Sequence, residues 1–139
     1  PAEAISRAVK INQYASLCAS SLAQYAAIEA NKNALSDVQE MKESYLFRRN
    51  LFVNGLNKIG LPTLMPEGAF YCFPSISHLG LSSEEFALKF FEDHQVAVVP
   101  GSVFGAGGEG FLRCSYATSF PDLEESLKRL ALFVKNIKK

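Results

Sequence analysis

The sequence has no tryptophan, only two methionines and three cysteines, and it carries no excess charge of either sign. Fourteen basic residues balance fourteen acidic ones, so no field gathers phosphates from a distance, and nucleic acid is excluded as an expected partner. Cys18, Cys72 and Cys114 are odd in number, widely spaced and contain no CxxC pair, which excludes a disulfide framework and a zinc knuckle and points to a reducing, cytoplasmic setting. The longest stretch without a charge, Ile11 to Ile28, contains Asn12, Gln13, Ser16, Ser20, Ser21 and Gln24. It therefore reads as an amphipathic helix and not as a membrane span. The opening residues, Pro1 to Arg7, show no compact apolar run, no small-residue cleavage site and no initiator methionine; the chain is expected to begin within a longer protein.

What is present is a globular composition, 48% hydrophobic and 20% charged over 139 residues, enough for one domain or one lobe of something larger. Between Ala2 and Asn54 there is neither glycine nor proline, which favours long helices. The first is expected to run about thirty residues, to Asn31–Asn33. Ser36 and Gln39 have capping-box spacing, and Val38, Met41, Tyr45, Phe52, Leu56 and Ile59 continue as a stripe that Gly60 and Pro62 end. Ser82 and Glu85 open a short helix to about His94, with Leu81 and Phe86 placed as a hydrophobic staple. Ser119 to Asp122 opens the last helix. Its stripe is Leu123, Leu127, Leu130, Val134 and Ile137, and Lys135, Lys138 and Lys139 complement its dipole at the far end.

Three short segments rich in aromatic and β-branched residues, Ala69–Phe73, Val96–Val99 and Phe111–Ala117, are predicted strands. The expected fold is an α/β lobe of two layers, a sheet of about three strands covered by helices and preceded by a long helix.

Few residues carry chemistry. Gly105-Ala-Gly107-Gly108-Glu-Gly110 matches GxGxxG, but it leads into a strand instead of opening a helix, so it is expected to be a glycine-rich hairpin connection. His78 and His94 have no partner at ligand spacing and read as surface residues. None of the lysines lies in an apolar setting that would depress its pKa, and no Ser-His-Asp set, acid pair or metal cluster is visible. Arg113 stands out. Period-two alternation puts Leu112, Cys114 and Tyr116 on one face of the last strand and Phe111, Arg113, Ser115 and Ala117 on the other. A guanidinium among small and polar neighbours suits a carboxylate or phosphate; the same placement also fits a structural ion pair or a solvated side chain.

Gly68-Ala-Phe-Tyr71, Val98-Val-Pro-Gly-Ser102 with Phe104-Gly105, and Gly108-Glu-Gly-Phe-Leu-Arg-Cys-Ser-Tyr-Ala117 resemble, in order and spacing, the C-terminal third of fold-type I, pyridoxal-phosphate-dependent aminotransferases of class I/II, the aspartate aminotransferase superfamily. Ser21-Leu-Ala-Gln-Tyr-Ala-Ala27 resembles the helix that follows the active-site region in that family. Cys114 stands where an aliphatic residue is common. The resemblance implies that Arg113 grips the substrate α-carboxylate, that no residue of this chain is itself catalytic, and that the substrates of the parent are an amino acid and a 2-oxo acid. It also implies a homodimer. The cofactor's lysine, its pyridine-nitrogen aspartate, its stacking aromatic and most phosphate ligands would lie upstream. Pyridoxal phosphate is therefore expected in the parent and not on this chain, which alone is expected to be inactive. Residues 1–33 would be the connecting helix and residues 34–139 the small domain. A lyase or acyl-transferring synthase of the same superfamily shares this domain, and a free-standing anion-binding or interaction module is the reading from a different class.

Overall fold

A computed structural model describes residues 1–137. The elements are helices α1 (Ala2–Ala15), α2 (Ser21–Asn33) and α3 (Leu35–Ile59), strand β1 (Tyr71–Cys72), helix α4 (Ser83–His94), strands β2 (Val99–Pro100) and β3 (Leu112–Ser115), and helix α5 (Phe120–Ile137). The chain forms two compact units, Pro1–Met41 and the remainder from Lys42 onward.

In the first unit the single helix expected over residues 1–33 is two helices. Leu17 takes a left-handed φ of 59°, a conformation that cannot continue a right-handed helix. The Ser20 side chain accepts a hydrogen bond from the Ala23 N–H at 3.2 Å and so starts α2 afresh. Serine at this position satisfies a helix terminus better than it serves a helix interior. α1 and α2 contain no buried residue. α3 begins at Leu35, immediately before Ser36.

The second unit holds the core. The α3 stripe is buried from its middle onward: Val38 and Met41 are exposed, Tyr45 and Ile59 partly covered, and Phe52, Val53 and Leu56 buried. α3 ends where glycine permits it, with Gly60 at φ 91° and the Leu61 N–H reaching back to the Leu56 carbonyl at 3.0 Å. The sheet has the order β1-β3-β2 with both pairings antiparallel. β1 and β3 lie within the predicted segments and are shorter, whereas β2 shares only Val99 with the predicted Val96–Val99 and extends to Pro100, on an edge of the sheet where the missing N–H of proline is tolerated.

The inward face of β3 is the one that alternation selects: Leu112, Cys114 and Tyr116 are all buried. Cys72 and Cys114 are register partners across β1 and β3. Burial pushes the Cys72 thiol up to about 12 and the Cys114 thiol higher still, so both remain protonated packing groups. α4 carries the expected capping box between Ser82 and Glu85. Phe86 and Phe90 on α4 meet Phe133 on α5 at ring separations of 5.0 and 5.3 Å. In α5 the N-terminal signal holds, the Asp122 N–H donating to the Ser119 hydroxyl. Lys135 lies in its last turn; Lys138 and Lys139 lie outside the described residues.

Candidate functional site

Arg113 occupies the second position of β3, opposite Val99 of β2. Tyr71 of β1 faces Ser115. The pleat puts Tyr71, Arg113 and Ser115 on the same side of the sheet, with Tyr71 diagonal to Arg113 and within reach of its long side chain. The Arg113 Cζ lies 4.5 Å from the centroid of the Tyr71 ring and 4.7 Å from that of Phe104. Among the described residues the ion pairs seen are Arg7–Glu3 and Arg129–Glu125, and neither involves Arg113. Arg113 is half-buried, with its guanidinium carbon over both rings, an arrangement in which aromatic rings attract the cation without taking the place of an acceptor. Such a fork can take a carboxylate through two parallel hydrogen bonds.

Phe104 comes from the connection between β2 and β3, the segment containing the GxGxxG match, which is a strand-to-strand connection as expected. The glycines serve close backbone approach. A Cβ on Gly101 or on Gly108 would collide with the other's carbonyl oxygen, and one on Gly110 would meet the Ser77 hydroxyl. Gly105, directly after Phe104, has φ 115°, a value open to glycine.

Glu109 ties this loop to α4. Its carboxylate accepts from the Ser83 N–H at 2.8 Å and the Ser83 hydroxyl at 3.1 Å, and the Gly110 N–H donates to the Ser83 Oγ at 2.9 Å. The bond from the Ser83 backbone, at the first turn of α4, holds the Glu109 carboxyl below the usual glutamate range. Because the folded value is the lower one, this contact stabilises the fold fully above the ordinary glutamate range, and the stabilisation is lost as the pH falls through the folded value. Glu109→Gln is therefore expected to lower the urea midpoint at pH 7 and to make its decline between pH 6 and pH 3 shallower. A variant with an unchanged midpoint and an unchanged pH profile would show that the anchor contributes nothing.

Tyr71, Phe104, Glu109 and Ser83 could not be assigned to the site from periodicity. Tyr71 joins Arg113 through strand register, Phe104 through a loop, and Glu109 and Ser83 through a contact spanning 26 residues. The signal that was visible is the concentration of glycine around Phe104. His78 is exposed as expected, whereas His94 is half-buried, its ring 5.6 Å from Phe133. Lys10, Lys32, Lys42, Lys58, Lys89, Lys128 and Lys135 are each exposed. The described residues thus do not fit a covalently held pyridoxal phosphate, which requires a lysine desolvated in an apolar pocket. No group of three or more metal-ligating side chains occurs among the described residues. No described helix is long and apolar enough to cross a membrane.

Comparison with known proteins agrees with the resemblance. The family model for aminotransferase class I and II matches residues 1–130. The Bacillus subtilis (strain 168) protein YugH, an aminotransferase by name, is 56% identical over 91% of this chain and 33% of its own length. The aromatic-amino-acid aminotransferase 2 of Thermococcus litoralis is 43% identical over 99% of this chain and 36% of its own. The crystal structure of the aromatic aminotransferase from Pyrococcus horikoshii OT3 superimposes with a TM-score of 0.92 at 44% identity, covering 96% of this chain and 36% of that one. The chain spans about a third of the length of the curated relatives it matches. With a family model covering most of its residues and a solved relative of the same fold, the chain belongs to the class I and II aminotransferases.

Proposed function

We propose that this chain is the C-terminal part of a pyridoxal-phosphate-dependent aminotransferase, with residues 34–139 as its small domain and residues 1–33 as the connection to the rest. In this reading Arg113 binds the α-carboxylate of an amino acid or a 2-oxo acid. The observation that carries it is the guanidinium of Arg113, lying over the Tyr71 and Phe104 rings and in no ion pair among the described residues, in a segment that matches the family. A bidentate grip on the carboxylate fixes where the amino group sits, and positioning of this kind accounts for a large part of catalysis in cofactor enzymes. The cofactor supplies the electron sink. The exposed lysines of this chain leave its attachment to the remainder of the protein. Apolar side chains exposed on α1 and α2, among them Ile11, Tyr14, Leu22 and Tyr25, support a homodimer, and the free cysteines support a reducing, cytoplasmic location.

The full-length protein loaded with pyridoxal phosphate is expected to convert an amino acid to its 2-oxo acid in stoichiometric amount, retaining the amino group, when no acceptor is supplied. The 139-residue chain mixed with pyridoxal phosphate and reduced with borohydride is expected to show scattered labelling of several lysines and no turnover. Release of ammonia or carbon dioxide by the full-length protein would assign it to a lyase or synthase. One dominant stoichiometric lysine adduct on the isolated chain would overturn the placement of the cofactor outside it.

A further inference from the structure

We infer that the glycine loop from Gly101 to Gly110 is a positioning device for Arg113, acting through Phe104 together with Tyr71. This inference rests on the carboxylate-binding reading of Arg113. An arginine side chain is flexible, and one that must be caught in the right orientation at each encounter binds its ligand more weakly than one already held. A carboxylate partner within the protein could hold it, but would occupy the donors needed for the substrate. Aromatic faces avoid that conflict. They attract the cation through the ring quadrupole and leave the in-plane N–H groups free.

The two rings are fixed independently. Tyr71 is placed by the β1–β3 register and packs on Phe70 at 4.5 Å. Phe104 is 51% exposed and would be free to swing if only its own packing restrained it. The loop restrains it from both ends instead. The Gly101 N–H donates to the Phe111 carbonyl at 2.8 Å, and Gly101 and Gly108 approach too closely for any side chain between them. Glu109 and Gly110 are tied to Ser83 at the start of α4. Phe73 meets the Phe104 ring edge to face at 6.0 Å. The glycine-rich segment thus has a role: Gly108, against Gly101 ahead of the GxGxxG match, lets the loop close tightly enough to hold an aromatic ring beside the arginine.

The test uses the full-length holoenzyme. Phe104→Leu and Tyr71→Leu remove the aromatic face while leaving an apolar side chain. Each is expected to raise KM for the amino acid and for the 2-oxo acid roughly 2- to 30-fold, the range of a cation–π contact. The change in kcat should be smaller and the affinity for pyridoxal phosphate unchanged. Phe104→Tyr and Tyr71→Phe, which keep the face, should restore KM. In an Arg113→Ala background, Phe104→Leu should add nothing further. If Phe104→Leu and Tyr71→Leu keep the wild-type KM while Arg113→Ala raises it, the positioning role is wrong and the carboxylate reading stands. If Phe104→Leu raises KM equally with and without Arg113, the ring acts on its own account and the inference also fails. If Arg113→Ala leaves KM unchanged, the carboxylate reading itself falls.

Discussion

Replacing Arg113 by alanine in the full-length protein is expected to lower kcat/KM for the amino-acid substrate by about 30- to 4,000-fold, corresponding to the roughly 2 to 5 kcal/mol lost when one member of a desolvated charged pair is removed. The effect is expected to be large because the rings packed on Arg113 carry no charge to take its place. The groups seen against the guanidinium are the Tyr71 and Phe104 rings, and of these only the Tyr71 hydroxyl can donate, one neutral bond in place of two charged ones. The affinity for pyridoxal phosphate should change little. Arg113→Lys should recover only part of the loss, since an ammonium is a point charge and cannot reproduce two parallel hydrogen bonds. Steady-state kinetics with the amino acid and the 2-oxo acid, alongside a cofactor titration, measures each quantity. An alanine variant with wild-type efficiency would make Arg113 a structural residue.

Arg113 was legible because a strand has a strict period of two. Once Leu112, Cys114 and Tyr116 are assigned to the core, the outward position of Arg113 follows from covalent geometry, and all three are buried. The helix signals at Ser82–Glu85 and Ser119–Asp122 were legible for a similar reason, since capping chemistry is local and leaves a fixed spacing. The break near Leu17 was not. Residues 16–20, Ser-Leu-Cys-Ala-Ser, contain neither glycine nor proline, and the competing hydrogen bond from Ala23 to Ser20 is too small a preference to read from a sequence without a marked breaker. The aromatic setting of Arg113 was also hidden. Phe104 and Arg113 are brought together by a loop whose path depends on the contact between Gly101 and Gly108, and loop closure leaves no periodic trace.

The site depends on the core through α4, and Phe86 is where that dependence is greatest. Its ring is 0% exposed and meets Phe133 of α5 edge to face at 5.0 Å and Phe90 at 6.1 Å, so truncation leaves a void bordered by two other large rings. Phe86→Ala is expected to destabilise the chain by about 3 to 5 kcal/mol, the lost transfer free energy together with the cavity left behind. Phe86→Leu should cost less, since most of the volume is kept. The consequence extends past stability, because Ser83 lies one turn earlier on the same helix and anchors Glu109 and Gly110 of the glycine loop. An α4 that shifts to fill the void carries that anchor with it and loosens Phe104 from Arg113. Urea titration of the 139-residue chain should show a lower midpoint with an unchanged slope if the native surface is otherwise preserved. A loss below about 1 kcal/mol would mean that Phe90 and Phe133 close over the gap, the outcome for a site able to collapse, and the loop would then be held independently of the α4–α5 packing.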